Sequence, residues 1–198
     1  MKLLLENWRK FINEVEMQDA TMLSIFDFDE TIAFTTSYAD AFDKITGEFV
    51  KRIYSQKEQD AAKDSGLYDL DFSSYDEVEA PMEVKSVTSK LRKRIADPRV
   101  QVMVLTARAS RSEDDIHRYL QSLDPPIDTT ELLIKGLAGA NKGEFTLDVL
   151  DRYRNFTSVE FLDDSDKNLN DMKTASKKRP DVDFTIYKAH EGSINPVE

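Results

Sequence analysis

The sequence predicts a three-layer, Rossmann-like α/β fold with a mainly parallel sheet, and three observations predict it. Short apolar runs of strand length alternate with stretches of helical periodicity through the second half of the chain. The strand-like runs end, one after another, in polar or charged residues, as expected where parallel strands present their carboxyl ends along one edge. Residues 33–80 interrupt the alternation with a β-rich insertion that directly follows the first strand. The expectation is one domain over 1–198, with 33–80 a small flap within it.

The elements follow in order. Leu4, Trp8, Phe11, Ile12 and Val15 fall at helical spacing, so the N-terminal stretch reads as an amphipathic helix. Met22 to Phe28 is an apolar strand entering an acidic cluster. Tyr38 to Asp43 and Glu48 to Tyr54 flank a Gly-bearing turn and read as a hairpin. Ser55 and Glu58 form a capping box that opens a helix to about Lys63, and residues 66–81 read as loop or irregular strand. A helix from Glu83 to Ala96 stops at Asp97-Pro98. The second strand spans Arg99 to Ala107, and Ser110 with Glu113 is a second capping box, opening a helix to about Leu123. Strands at Glu131 to Ile134, Val159 to Leu162 and Val182 to Tyr187 alternate with helices at Asn141 to Arg154 and Lys167 to Lys178.

Composition excludes more than it selects. Without a single cysteine the chain has no disulfide scaffold, iron–sulfur cluster or thiol nucleophile, and with two histidines a His-based zinc site is not expected. A net charge of −11 argues against charge-driven binding to long nucleic acids. The apolar opening breaks at Glu6, too early for a signal peptide, and nothing later is long enough to span a bilayer. The expectation is a soluble, cytoplasmic protein with no membrane partner and no obligate protein partner. No Gly-rich phosphate loop of kinase or NTPase type is present.

The chemistry gathers at the predicted strand ends. Asp27 and Asp29 stand at i and i+2, and like charges so close call for a cation or a raised pKa. Asp163 and Asp164 bring further carboxylates to the same edge. Such an all-oxygen set suits hard Mg²⁺. Thr106 ends the second strand and can hydrogen-bond a phosphoryl oxygen; Lys135 ends the third. The basic run Lys90 to Arg94 reads as a solvated helix face.

The strings SIFDFDETI, VMVLTAR, Lys142 in NKGEFTLDVL, and VEFLDDSDKNLND resemble, in order, the four motifs of the haloacid dehalogenase (HAD) superfamily of phosphohydrolases. The resemblance spans about residues 22–190 and implies a HAD-like fold. It implies that Asp27 is the nucleophile and forms an aspartyl-phosphate, and that Asp29 is the general acid/base. It also implies that Mg²⁺ is held by Asp27, the backbone carbonyl of Phe28 and Asp164, with Asp29 beside them and Asp163 as the alternative ligand. Thr106, Ala107 and Arg108 would contact substrate, and Lys142, or Lys135 in its place, would neutralise the phosphate. One departure is Asn168, which stands where the fourth motif often has a second acid. Arg108 resembles members acting on nucleotides or polynucleotide ends, including phage-type ones, so such phosphomonoesters are the expected substrates. Sugar or small-metabolite phosphates are the alternative. A phosphoryl-accepting module and a non-catalytic binding protein on the same scaffold are the competing classes.

Overall fold

A computed structural model describes residues 20–197, so the expected N-terminal helix lies outside the described residues. The central sheet has six strands in the order β11-β10-β9-β1-β7-β8. These are β1 (Met22–Phe26), β7 (Val100–Thr106), β8 (Leu133–Gly136), β9 (Ser158–Asp163), β10 (Asp183–His190) and β11 (Ser193–Pro196). All pairings are parallel except β10 with β11.

Both faces of the sheet are covered, which is why its inner strands are nearly continuous apolar runs. Leu23 and Ile25 point to one face, where they join Met103, Leu105 and Phe161 under α4 (Lys142–Arg152) and α5 (Asp166–Lys178). Phe26, Val104 and Leu162 point to the other, under α2 (Lys85–Ile95) and α3 (Glu113–Ser122). The alternation is the two-residue period of a strand.

The insertion forms its own antiparallel sheet, β4-β3-β5, from β3 (Ala39–Asp43), β4 (Phe49–Ile53) and β5 (Tyr68–Asp71). Helix α1 (Gln56–Ser65) packs Ala62 against Ala41 and Ile53. The Ser55 hydroxyl accepts from the Glu58 N–H and donates to its carboxylate, so Ser55 caps the helix as expected. Two short strands, β2 (Ala33–Phe34) and β6 (Met82–Glu83), pair where the insertion leaves and rejoins the core.

Several expectations shift. The strand expected at 131–134 sits two residues later, and its last residue, Gly136, lies against the Ala109 carbonyl, where a Cβ would stand 2.6 Å away. No capping box forms at Ser110: residues 110–112 make a 3₁₀ turn, and the Glu113 carboxylate accepts from Gly136 N–H and Lys135 instead. Residues 68–71, expected as loop or irregular strand, are the regular strand β5. The basic face of α2 is not simply solvated. Lys90 and Arg94 reach inward to the buried Glu160 at 2.6 and 2.8 Å, and Ser24 donates to the same carboxylate.

Candidate active site

The parallel pairing of β1 with β7 and β9 fixes what meets at the carboxyl edge. Phe26 is level with Val104 on one side and Leu162 on the other, so the residues that follow project from adjacent strands. Asp27, whose N–H donates to the Leu162 carbonyl, therefore faces Asp163 and Asp164 across a single strand spacing. Each of these three aspartates can place a carboxylate oxygen within 4.8 Å of the others.

Lys142 completes the cluster. It is the first residue of α4, whose N-terminus is capped by Asn141 accepting from the Glu144 N–H. Its ammonium lies 2.5 Å from Asp27 Oδ1 and 2.7 Å from Asp163 Oδ2, and its side chain is 1% exposed. Burial of this kind is tolerated only where the charge is paired. Asn168 donates to both oxygens of Asp163 at 3.0 and 3.2 Å, and the Ser165 N–H donates to Oδ1. Asp163 is thus enclosed by donors, whereas Asp164 is half-buried.

The electrostatics follow from crowding. Burial pushes the Asp27 carboxyl up; Lys142 opposes this, while Asp163 and Asp29 add to it, and the net shift is upward. Asp164 is also raised, by burial first and then by Asp27 and Asp163. For Lys142 burial works to lower the pKa, but the flanking Asp163 and Asp27 carboxylates prevail and raise it. Three carboxylates share one lysine. An all-oxygen, partly open set with surplus negative charge fits a hard divalent cation, and these three aspartates could hold one.

The other sequence-derived residues fall differently. Asp29 is not in the cluster: Arg108 grips it by a fork, Nε to Oδ2 at 2.8 Å and Nη2 to Oδ1 at 2.7 Å. Arg108 does not face an open substrate site either. Its side chain is fully buried and also donates to the carbonyls of Tyr75 and Glu77. The Phe28 carbonyl accepts from the N–H groups of Ile32 and Ala33, which commits it to a turn rather than to a ligand role. That turn holds Glu30 at φ 56, in the left-handed region. Lys135 is paired with Glu113 at 3.1 Å, leaving Lys142 as the lysine on the carboxylates. Thr106 is buried at the end of β7, two residues beyond the rung Phe26–Val104, and its hydroxyl accepts from the Arg108 N–H. The Ala107 carbonyl accepts from Gly139 N–H, which closes the loop after β8 onto the one after β7.

Sequence reasoning passed over Thr35 and Ser37, whose hydroxyls lie 3.2 and 2.9 Å from Arg108 Nη2. The hydroxyl run Thr35-Thr36-Ser37 is their one trace in the sequence; the Tyr75 and Glu77 carbonyls leave none.

Comparison with known proteins adds the following. The family profile described as a protein of unknown function, DUF2608, matches residues 132–191, from the approach to β8 through β10. No curated protein matches the chain significantly. Among solved structures, the Legionella pneumophila effector Ceg4 is similar over 88% of each chain, with a TM-score of 0.50 and 14% identity. The HAD domain of the L. pneumophila effector Lem4, solved as an inactive mutant, is similar over 87% of each chain, with a TM-score of 0.44 and 13% identity. The likeness to Ceg4 shows a shared fold, the layered α/β architecture.

Proposed function

We propose that the chain is a Mg²⁺-dependent phosphomonoester hydrolase of HAD type, working through an aspartyl-phosphate on Asp27. The observation that carries the reading is the buried Asp27–Lys142–Asp163 cluster with Asp164 beside it, at the carboxyl edge of adjacent parallel strands. Receiver-like modules also group carboxylates and a lysine there, but Asp29 supplies a second carboxyl two residues from the nucleophile, which favours turnover over storage.

In this reading Asp27 and Asp164 would hold the metal, with Asp163, whose oxygens already accept from Lys142, Asn168 and Ser165, as the alternative ligand. Mg²⁺ held there would supply charge that neutralises phosphoryl oxygens. A carboxylate oxygen of Asp27 bonds to phosphorus as the bond to the leaving oxygen breaks, and Asp29, as general acid, gives that oxygen a proton. Asp29 then takes a proton from water, whose oxygen bonds to phosphorus while the Asp27–phosphorus bond breaks. Orthophosphate leaves and both carboxyls return to their starting states. Lys142 stays protonated throughout and fixes the rotamer of Asp27.

The case for nucleotide substrates weakens here. The residue that speaks for them, Arg108, has its donors committed to Asp29 and the insertion. Nucleotides, nucleic-acid ends and sugar phosphates therefore stand level, and a screen must choose among them. The chain with Mg²⁺ should release orthophosphate from p-nitrophenyl phosphate and from at least one such class, and should stop in EDTA. Asp27→Asn should release none. Full turnover in chelator would refute the metal assignment. Stoichiometric phosphate uptake without release would favour the phosphoryl-accepting module.

A further inference from the structure

We infer that Arg108 is a positioning residue that holds the Asp29 carboxylate and ties it to the insertion, rather than a contact for substrate. The catalytic part of this inference rests on the phosphatase reading above.

A guanidinium has five N–H donors. In Arg108 they serve six acceptor contacts: two on Asp29, the Tyr75 and Glu77 carbonyls, and the hydroxyls of Thr35 and Ser37. With the side chain fully buried, no donor is left for a phosphate. A substrate-binding arginine would need a free edge of its fork, and this one has none.

The same contacts explain why the residue is arginine. A planar fork meets a carboxylate through two parallel bonds and fixes its plane, which a lysine's point charge cannot do. Thr35 donates to Asp29 Oδ1 at 3.0 Å, so Oδ1 carries two hydrogen bonds and Oδ2 carries one. The carboxyl is also 26% exposed. Oδ2 is thus the oxygen with spare accepting capacity, and the fork holds it in a set orientation. A fixed orientation with an accepting site open is what a general base requires.

The link to the insertion is equally direct. Tyr75 lies in the 3₁₀ turn Ser73–Asp76 and Glu77 follows it, and both carbonyls bond to one nitrogen, Arg108 Nη1. Gln59 of α1 donates to the Tyr75 hydroxyl, which extends the connection into the insertion's own core. A displacement of this turn is therefore transmitted through one rigid guanidinium to the Asp29 carboxylate.

The test is a double-mutant cycle on the full chain, read in both kinetics and stability. With Mg²⁺ and p-nitrophenyl phosphate, Arg108→Lys should lower kcat, by at most the roughly 10²–10⁴-fold that acid–base assistance is worth. KM should stay within about twofold. On an Asp29→Asn background, the same substitution should cost less than about twofold further, because the residue it acts through is already gone. A raised KM with kcat unchanged, or losses that multiply across the two positions, would overturn the inference in favour of a substrate contact. Ser37→Ala, which removes one acceptor of Nη2, should show a smaller kcat loss with the same non-additivity, and it carries the test if Arg108→Lys does not fold. Melting temperatures need no activity: the Arg108 and Asp29 substitutions should destabilise non-additively, and additive shifts would overturn the pairing. If the wild type shows no Mg²⁺-dependent turnover while that stability coupling is present, the phosphatase reading falls and the positioning tie stands.

Discussion

A lysine ammonium buried among apolar strands survives only because two carboxylates flank it. Lys142 meets Asp27 and Asp163 at once, and their attraction outweighs the burial that would strip its proton. The two aspartates depend on it in the same way. Lys142→Met therefore leaves a buried pair of like charges with no counter-charge, a change that typically costs about 3–5 kcal/mol. The expected result is a lower melting temperature in EDTA, partly restored by Mg²⁺, since a cation in the same cluster takes over part of the neutralisation. Phosphatase activity should not return with the metal, because Asp27 has lost the bond that fixes its orientation. A variant that melts like the wild type in EDTA would show that the ion pairs contribute little. At this scale the sequence exposes the acids but not their partners. The D-x-D spacing and the pair Asp163-Asp164 can be read directly, whereas the lysine on them and the arginine on Asp29 depend on how the loops fold back.

Helices place these side chains, and a small residue decides how closely. Gly143 is the second residue of α4, and a Cβ there would stand 2.5 Å from the Asp171 carbonyl oxygen of α5 and 2.8 Å from its carbon. The contact is backbone, so it cannot rotate aside. In an unobstructed helix Gly→Ala stabilises by about 1 kcal/mol. Here Gly143→Ala should destabilise instead, by roughly the 1–3 kcal/mol of an overpacked core position, because α4 must move away from α5. That movement carries Lys142 with it, so kcat should fall although Gly143 touches no substrate. Thermal melts and initial rates check both, and a stabilised variant would contradict the packing argument. The legibility of elements follows the same physics. Strands β1, β7 and β9 are readable because burial on both faces makes them mostly apolar, with Ser24, Gln101 and Glu160 the polar exceptions in their interiors. Strand β8 runs two residues past its apolar pattern because its last two, Lys135 and Gly136, serve an ion pair and a close approach rather than hydrophobic burial. Strand β11 is short, partly exposed and ends in proline, and so carries no strand signal. At Ser110 the capping pattern was present, but a 3₁₀ turn and the demand of Gly136 N–H drew Glu113 elsewhere.

Two charge networks give the whole molecule opposite responses to pH. Burial tends to raise Glu160, but the hydrogen bonds from Arg94, Lys90 and Ser24 outweigh it and hold it below the usual carboxylate range. Its contribution to stability is thus present above the unfolded carboxyl pKa and is lost as pH falls through its lowered folded value. That places its loss in acid, below about pH 4.3. Asp27 and Asp164 behave conversely in the metal-free chain. Their folded pKa values are raised, so the folded state keeps protons that the unfolded chain has released. The stability this supplies is complete below the unfolded carboxyl pKa of about 3.9 and drains away as pH rises through the raised folded values. A divalent cation held by these aspartates would reverse the trend, because it would bind the deprotonated carboxylates and displace those protons, so its affinity would rise with pH. A ligand specific to the folded state stabilises by RT ln(1 + [L]/Kd), about 2.7 kcal/mol at one hundred times Kd. The difference in melting temperature between saturating Mg²⁺ and EDTA should therefore be small near pH 5.5 and widen toward pH 8.5, a window above the acid limb of Glu160. Asp164→Asn, which removes one of the titrating ligands, should flatten the widening without removing the Glu160 limb. A Mg²⁺ effect of constant size across that window would mean that the metal does not compete with protons at these carboxylates, and would place its binding elsewhere on the molecule.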